Sequence, residues 1–118
     1  MKDYQFNMPW PPSLNGYWRT FKNRQIISKR GRDYRKAAIA HLNEIGLAGT
    51  KLDGRLAVTV TLHPPTLRKY DCDNFFKAIG DSLTHAGFWV DDEQVDILTI
   101  KKAAKISGGL VTMRVCLV

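Results

Sequence analysis

Apolar and polar residues alternate from Arg55 to His63 (RLAVTVTLH), with β-branched side chains among them, which predicts a strand with one buried face. Tyr4 to Met8 alternates in the same way and predicts a short strand. Pro9-Trp10-Pro11-Pro12 stops it, since proline donates nothing to a ladder. Ser13 to Asn23 reads as a loop, with Asn15-Gly16 as a turn signal. After Ser28, a good N-cap, the apolar residues Tyr34, Ala38, Leu42 and Ile45 recur at helical spacing and predict a helix to about Gly46. Leu47 to Gly54 is a linker, and Thr66 to Tyr70 a basic loop after Pro64-Pro65. Phe75, Phe76, Ile79, Leu83 and Ala86 form the stripe of a second helix, capped by Asp73 or Asn74 and closed by Gly87 at C′. Phe88-Trp89-Val90 is a short apolar step and Asp91-Asp92-Glu93 a turn. Val95 to Lys102 and Leu110 to Val118 read as strands around a Gly108-Gly109 turn. The order β-α-β-α-β-β predicts an α+β fold: one domain over residues 1–118, with a small mixed sheet and two main helices.

The chain has 118 residues, 44% of them hydrophobic, which supplies a core and argues against disorder, collagen and coiled coil. No apolar run approaches the roughly 20 residues that span a bilayer. The start, Met1-Lys2-Asp3-Tyr4, lacks the apolar stretch of a signal peptide. Two cysteines, Cys72 and Cys116, make no disulfide scaffold. The expectation is a cytoplasmic chain with free thiols and no membrane partner.

Charge changes the picture. The net charge is +7, and residues 1–36 carry nine of the basic residues against two acids, Asp3 and Asp33. Residues 71–96 carry seven acids, opposed only by Lys77. A protein that merely coats DNA has no use for the acidic block, because carboxylates repel phosphate. A nuclease uses both: cations to hold the backbone and carboxylates to hold a metal. The first helix opens with Arg30, Arg32, Arg35 and Lys36, a cationic outer face. Arg19, Lys22 and Arg24 are interleaved with Tyr17, Trp18 and Phe21, a mixture that either grips phosphates and stacks on bases or packs on its own domain.

Asp71-Cys72-Asp73 carries the candidate chemistry. In an extended segment its two carboxylates project to one side, with Cα atoms roughly 6–7 Å apart, and could share a divalent cation. Lys77 stands at i+4 from Asp73, within reach of the same volume. If the Phe88-Trp89-Val90 step returns the chain, a third carboxylate arrives from Asp91, Asp92 or Glu93. Carboxylates about 4 Å apart repel by about 4 kcal/mol at an effective dielectric of about 20, so a converging set calls for a hard dication such as Mg²⁺. Taken alone, the pattern is more often that of a helix cap with a surface carboxylate.

The chain resembles the RusA family of Holliday-junction resolvases. The likeness is carried by Met8-Pro9-Trp10-Pro11-Pro12-Ser13-Leu14-Asn15 with Tyr17-Trp18-Arg19, and by Asp71-Cys72-Asp73-Asn74 with Lys77 and Ala78. It continues through Asp81-Ser82-Leu83 to Ala86-Gly87-Phe88-Trp89-Val90-Asp91-Asp92 with Gln94-Val95. Ser28, Tyr34 and Arg35 extend it between these blocks. The resemblance implies a Mg²⁺-dependent endonuclease, with Mn²⁺ as a possible substitute, acting as a homodimer on four-way DNA junctions in recombination and repair. It implies Asp71, Asp73 and Asp92 as metal-binding catalytic carboxylates and Lys77 as the catalytic lysine, with Asp91 and Asn74 in support. Family members often carry a dense arginine run before the first aspartate; here Arg68 and Lys69 supply two cations. Candidate DNA contacts are Arg19, Lys22, Arg24, Arg30, Arg32, Arg68 and Lys69. The alternatives are a non-catalytic DNA-binding accessory module and a domain whose basic face takes an acidic protein.

Overall fold

The computed structural model describes residues 3–118, so Lys2, counted in the basic third, lies outside the described residues. Strand β4 (Leu56–His63) is the spine. Its alternation puts Leu56, Val58, Val60 and Leu62 fully on the buried side. On one flank β6 (Leu110–Leu117) pairs antiparallel, and β1 (Asp3–Met8) pairs antiparallel with β6 in turn. On the other flank β5 (Val95–Lys102) pairs parallel, completing the order β1-β6-β4-β5. Register stacks the buried face in rows: Met8, Val111 and Leu62; then Phe6, Met113 and Val60; then Tyr4, Val115 and Val58. The opposite face carries polar rows such as Gln5, Arg114 and Thr59. The sheet is thus mixed and α+β in character, as the periodicity predicts.

Two helices complete the core. Helix α2 (Lys29–Glu44) buries Tyr34, Ala38 and Leu42, while α3 (Phe76–His85) buries Ala78, Ile79 and Leu83, and the helices pack on each other. A parallel pair cannot be closed by a hairpin, and α3 lies in the crossover from β4 to β5. Phe88 and Trp89, both fully buried, follow Gly87, whose φ of +71° suits a helix-ending glycine. Among the described residues no helix is long and apolar enough to cross a membrane.

Three expectations are corrected. Ser13 to Asn23 is not simply a loop: a single helical turn, α1 (Leu14–Tyr17), leads into a hairpin of β2 (Trp18–Phe21) and β3 (Arg24–Ile27). The order is therefore β-α-β-β-α-β-α-β-β. The hairpin turn is Lys22-Asn23, both with positive φ (49° and 61°), and its strands are mostly exposed. It lacks both the usual Asn-Gly signal and a buried alternation. Neither Asp73 nor Asn74 caps α3; both lie in a 3₁₀ turn, Cys72–Phe75, that precedes it, and no side-chain hydrogen bond caps either start. Finally, Arg35 leaves the outer face of α2 and points inward, as described below.

Ser28 caps α2 as expected. Its hydroxyl accepts from the Gly31 N–H at 2.9 Å and donates to the Gly16 carbonyl at 2.6 Å, tying α1 to α2. Gly31 lies so close to α1 that an added Cβ would stand 2.6 Å from the Tyr17 carbonyl oxygen. Gly→Ala inside a helix ordinarily stabilises by about 1 kcal/mol. Here backbone blocks the methyl, so Gly31→Ala is expected to destabilise by roughly 1–3 kcal/mol. A urea midpoint unchanged or raised in Gly31→Ala would contradict this packing.

Candidate active site

The loop after β4 and the start of α3 carry the first two carboxylates. Asp71 is extended (φ −94°, ψ 123°), but Cys72 to Phe75 winds as a 3₁₀ turn. The extended geometry expected of Asp71-Cys72-Asp73 therefore ends at Asp71, and the two side chains are not aligned as on a strand. Both aspartates are exposed, while Asn74 and Lys77 are half-buried. The loop itself is tied back to the sheet. Lys102 on β5 donates to the Tyr70 carbonyl at 2.6 Å, and its ammonium stands 4.5 Å from the Tyr70 ring centroid. Tyr70, Trp10 and Phe75 meet edge-on or tilted, so the opening proline-rich segment braces the turn that holds Asp71 and Asp73.

The third carboxylate is delivered by a different device. Asp91 caps a 3₁₀ turn, Asp92–Gln94, accepting from the Glu93 N–H at 3.0 Å. Gln94, buried to 8% exposure, makes four hydrogen bonds. It accepts from the Val90 and Asp91 N–H groups and donates to the Leu52 and Gly54 carbonyls, all between 2.9 and 3.0 Å. The turn is thereby locked to the linker before β4. Asp92 then reaches α3: a Cβ on Gly80 would lie 3.5 Å from its Oδ2. Gly80 is three residues beyond Lys77, on the same side of the helix. Asp92 thus lies against α3. The Lys77 charge acts on both Asp91 and Asp92.

Electrostatics separates these two acids. Burial, and then the neighbouring Asp91 carboxyl, push Asp92 above the usual carboxylate range, and Lys77 opposes that only in part. Asp91 is held below that range, first by the Glu93 N–H. A carboxylate so placed favours any nearby cation. Among the described residues, however, no three Asp, Glu, His or Cys side chains converge closely enough to hold an ion. The donors present at Asp71, Asp73 and Asp92 are all carboxylate oxygens, the type that suits a hard divalent ion such as Mg²⁺. Cys72 and Cys116 are free and half-buried.

Lys77 has a seat that sequence reasoning missed. Its ammonium stands 5.8 Å from the centroid of the Trp18 ring. Trp18 meets Tyr17 edge-on, and Tyr17 is completely buried. The Tyr17 hydroxyl donates to Asp81, which also receives Arg35 Nη2 at 2.6 Å; Arg35 in turn donates to the Tyr17 oxygen at 3.2 Å. Asp81 lies one helical turn beyond Lys77. This half-buried knot joins α1, α2 and α3 and fixes the face of α3 that carries Lys77. Its signal was present in the spacing of Lys77 and Asp81, but Tyr17 and Arg35 are too distant in sequence for spacing to reveal.

The candidate DNA contacts form a basic set on three segments of the chain. Arg19, Lys22 and Arg24 are exposed on the hairpin, and Arg30 and Arg32 in the first turn of α2. Arg32 spends one donor on the Ile27 carbonyl at 3.0 Å. Arg68 and Lys69 line a groove of about 260 Å³ with Trp10, Pro64, Thr66 and Tyr70.

Burial raises the pKa of Asp81, but the hydrogen bonds from Tyr17 and Arg35, with the guanidinium charge, outweigh it and leave the group below its ordinary value. Tyr17 is pushed up to about 12, chiefly by burial. Because the folded pKa of Asp81 is depressed, its stabilisation is complete above the unfolded value near 4 and is lost as pH falls through the folded one. Asp81→Asn is expected to cost about 2 kcal/mol at pH 7 and progressively less below about pH 4. Urea melts at the two pH values check this; a pH-independent deficit would refute it.

Comparison with known proteins shows the family. The family model described as endodeoxyribonuclease RusA matches residues 9–115. Crossover junction endodeoxyribonuclease RusA of Enterobacteria phage HK97 is 39% identical over 98% of this chain and 95% of its own length. The proteins of that name from Enterobacteria phage 82 and Escherichia coli K12 are 40% and 36% identical, each over 92% of this chain and 90% of its own. With a match that runs through the proline-rich brace, the Asp71-Cys72-Asp73 turn and the Asp92 turn alike, the chain belongs to the RusA endodeoxyribonuclease family.

Proposed function

We propose that this chain is a Mg²⁺-dependent, structure-selective endonuclease that resolves four-way DNA junctions by paired, symmetric nicks. The reading places it in recombination and repair in the bacterial cytoplasm. The observation that carries it is the return of Asp92 to α3 beside Gly80, within the field of Lys77, on the helix that begins just after Asp71 and Asp73. The names of the relatives support the substrate class.

In this reading Asp71, Asp73 and Asp92 hold Mg²⁺, with Mn²⁺ a possible replacement; when bound, the ion polarises the scissile phosphate and acidifies the attacking water. Lys77, seated on Trp18, offers its ammonium to charge that develops on the phosphate oxygens. Asp91, kept ionised by the Glu93 N–H, supports Asp92, and Asn74 lies in the turn that carries Asp73. The basic set binds the arms through their phosphates.

Two opposed strands must be cut, which a twofold homodimer accomplishes with one site per protomer. The edge strand β5 supports such pairing. Its outer edge has no partner strand among the described residues, and it exposes Ile97 (54%) and Leu98 (42%).

Asp73→Asn is expected to abolish nicking of a labelled four-way junction in Mg²⁺ while leaving junction binding intact or tighter. Binding lost together with cleavage would make the carboxylate structural. EDTA should stop nicking by the unaltered chain, and Mn²⁺ should restore it. Folded protein that never nicks a junction in either ion would be an accessory DNA-binding module instead.

A further inference from the structure

The β2–β3 hairpin has two unlike faces. Side chains alternate along a strand and directly opposed residues share a face. Trp18, Thr20, Gln25 and Ile27 therefore share one face, and Arg19, Phe21, Arg24 and Ile26 the other. The first face is engaged with the molecule: Trp18 contacts Tyr17 and Lys77, and Trp18 and Ile27 pack against the core. The second ends in Phe21, 46% exposed beside the turn. The Arg19 guanidinium stands 5.5 Å and the Lys22 ammonium 5.4 Å from the Phe21 ring centroid.

Nothing in the fold calls for that ring. It belongs neither to the core nor to the residues packed against it. The segment from Trp18 to Ile27 carries three cations and no acid. The turn is defined rather than slack: positive φ at both Lys22 and Asn23 is the mirror-image conformation whose twist matches that of paired strands. A firm two-stranded ribbon thus holds a flat apolar ring among positive charges. Its complement has a flat apolar face flanked by negative charge, as a nucleobase does between its phosphates.

We propose that Phe21 is a wedge that stacks on a base left unstacked at the branch point of the DNA, while Arg19, Lys22 and Arg24 hold the adjoining phosphates. This rests on the junction-nuclease reading and adds to it a source of structural selectivity. In continuous duplex each base is covered by its neighbours, so an inserting ring must first break a stack. At a four-way branch point the stack is already interrupted. Three residues of strand span about 10 Å, so Phe21 stands about that far along the ribbon from Trp18, on the opposite face from the one that meets Lys77.

The test reads binding in EDTA, where nothing is cut, using the full chain, a four-way junction with 2-aminopurine at its branch point, and a duplex of the same arm sequence. The unaltered chain should prefer the junction and raise the 2-aminopurine fluorescence. Phe21→Ala, at an exposed site, should leave the urea midpoint unchanged, weaken junction binding about tenfold, abolish the fluorescence rise and spare duplex binding. Phe21→Trp should restore both. Equal losses on junction and duplex, a fluorescence rise that survives Phe21→Ala, or no junction preference in the unaltered chain would each overturn the wedge. Failure of the nuclease reading shows elsewhere, as absence of nicking in Mg²⁺.

Discussion

The carboxylate of Asp81 is met by Tyr17 and Arg35 at the point where α1, α2 and α3 come together. A charge moved out of water is tolerable only when paired and hydrogen-bonded, and removing one partner costs far more than the pair contributes. The three elements are therefore held in one relative placement, since any shift that separates them strands a charge. Arg35 completes only part of its donor set: its Nε is buried without a partner. The guanidinium is thus placed for Asp81 and Tyr17 and not for its own satisfaction. Such a knot defines geometry more than it adds stability. What it defines is the angle at which Lys77 and Trp18 face each other.

The acids are positioned by backbone and not by mutual attraction, which they lack. Asp71 and Asp73 ride a turn braced by Trp10, Tyr70 and Phe75; Asp92 rides a turn bolted down by Gln94. Each brace is neutral and distinct from the acids it serves, so like-charge repulsion is resisted by packing and hydrogen bonds. Gly80 is tight against the Phe76 ring, 3.1 Å from an added Cβ, whereas toward Asp92 that Cβ would make only ordinary contact at 3.5 Å. The raised proton affinity of Asp92 comes first from burial and then from the Asp91 carboxyl, and Lys77 opposes it in part.

The sheet and main helices were legible because each has one buried face, and burial writes period two or period 3.6 into the sequence. β4, with four buried apolar residues at alternate positions, is the clearest case. The β2–β3 hairpin left no such trace, because it is exposed and turns on Lys-Asn. The carboxylates and Lys77 were legible as a spacing and a family likeness, but the 3₁₀ winding at Cys72 was not, since four residues of helix carry no periodic signal. Arg35 is the instructive failure. Its helical position puts it on the rim of the cationic face, and only the fold reveals that Asp81, in another helix, turns it inward.

These features divide the chain by charge and by rigidity. The sheet presents its buried rows to the helices, leads from β4 into the loop before Asp71 and ties that loop back through Lys102 of β5. Asp71 and Asp73 lie at the turn before α3 and Asp92 at the turn after it, with Lys77 on α3, while the hairpin and the start of α2 carry basic residues. A polyanion near such a chain is attracted by the exposed arginines and lysines and repelled by the acids, so the two kinds of charge act on it from different segments. That separation follows from Coulomb's law applied to a chain whose cations and acids occupy different stretches of sequence.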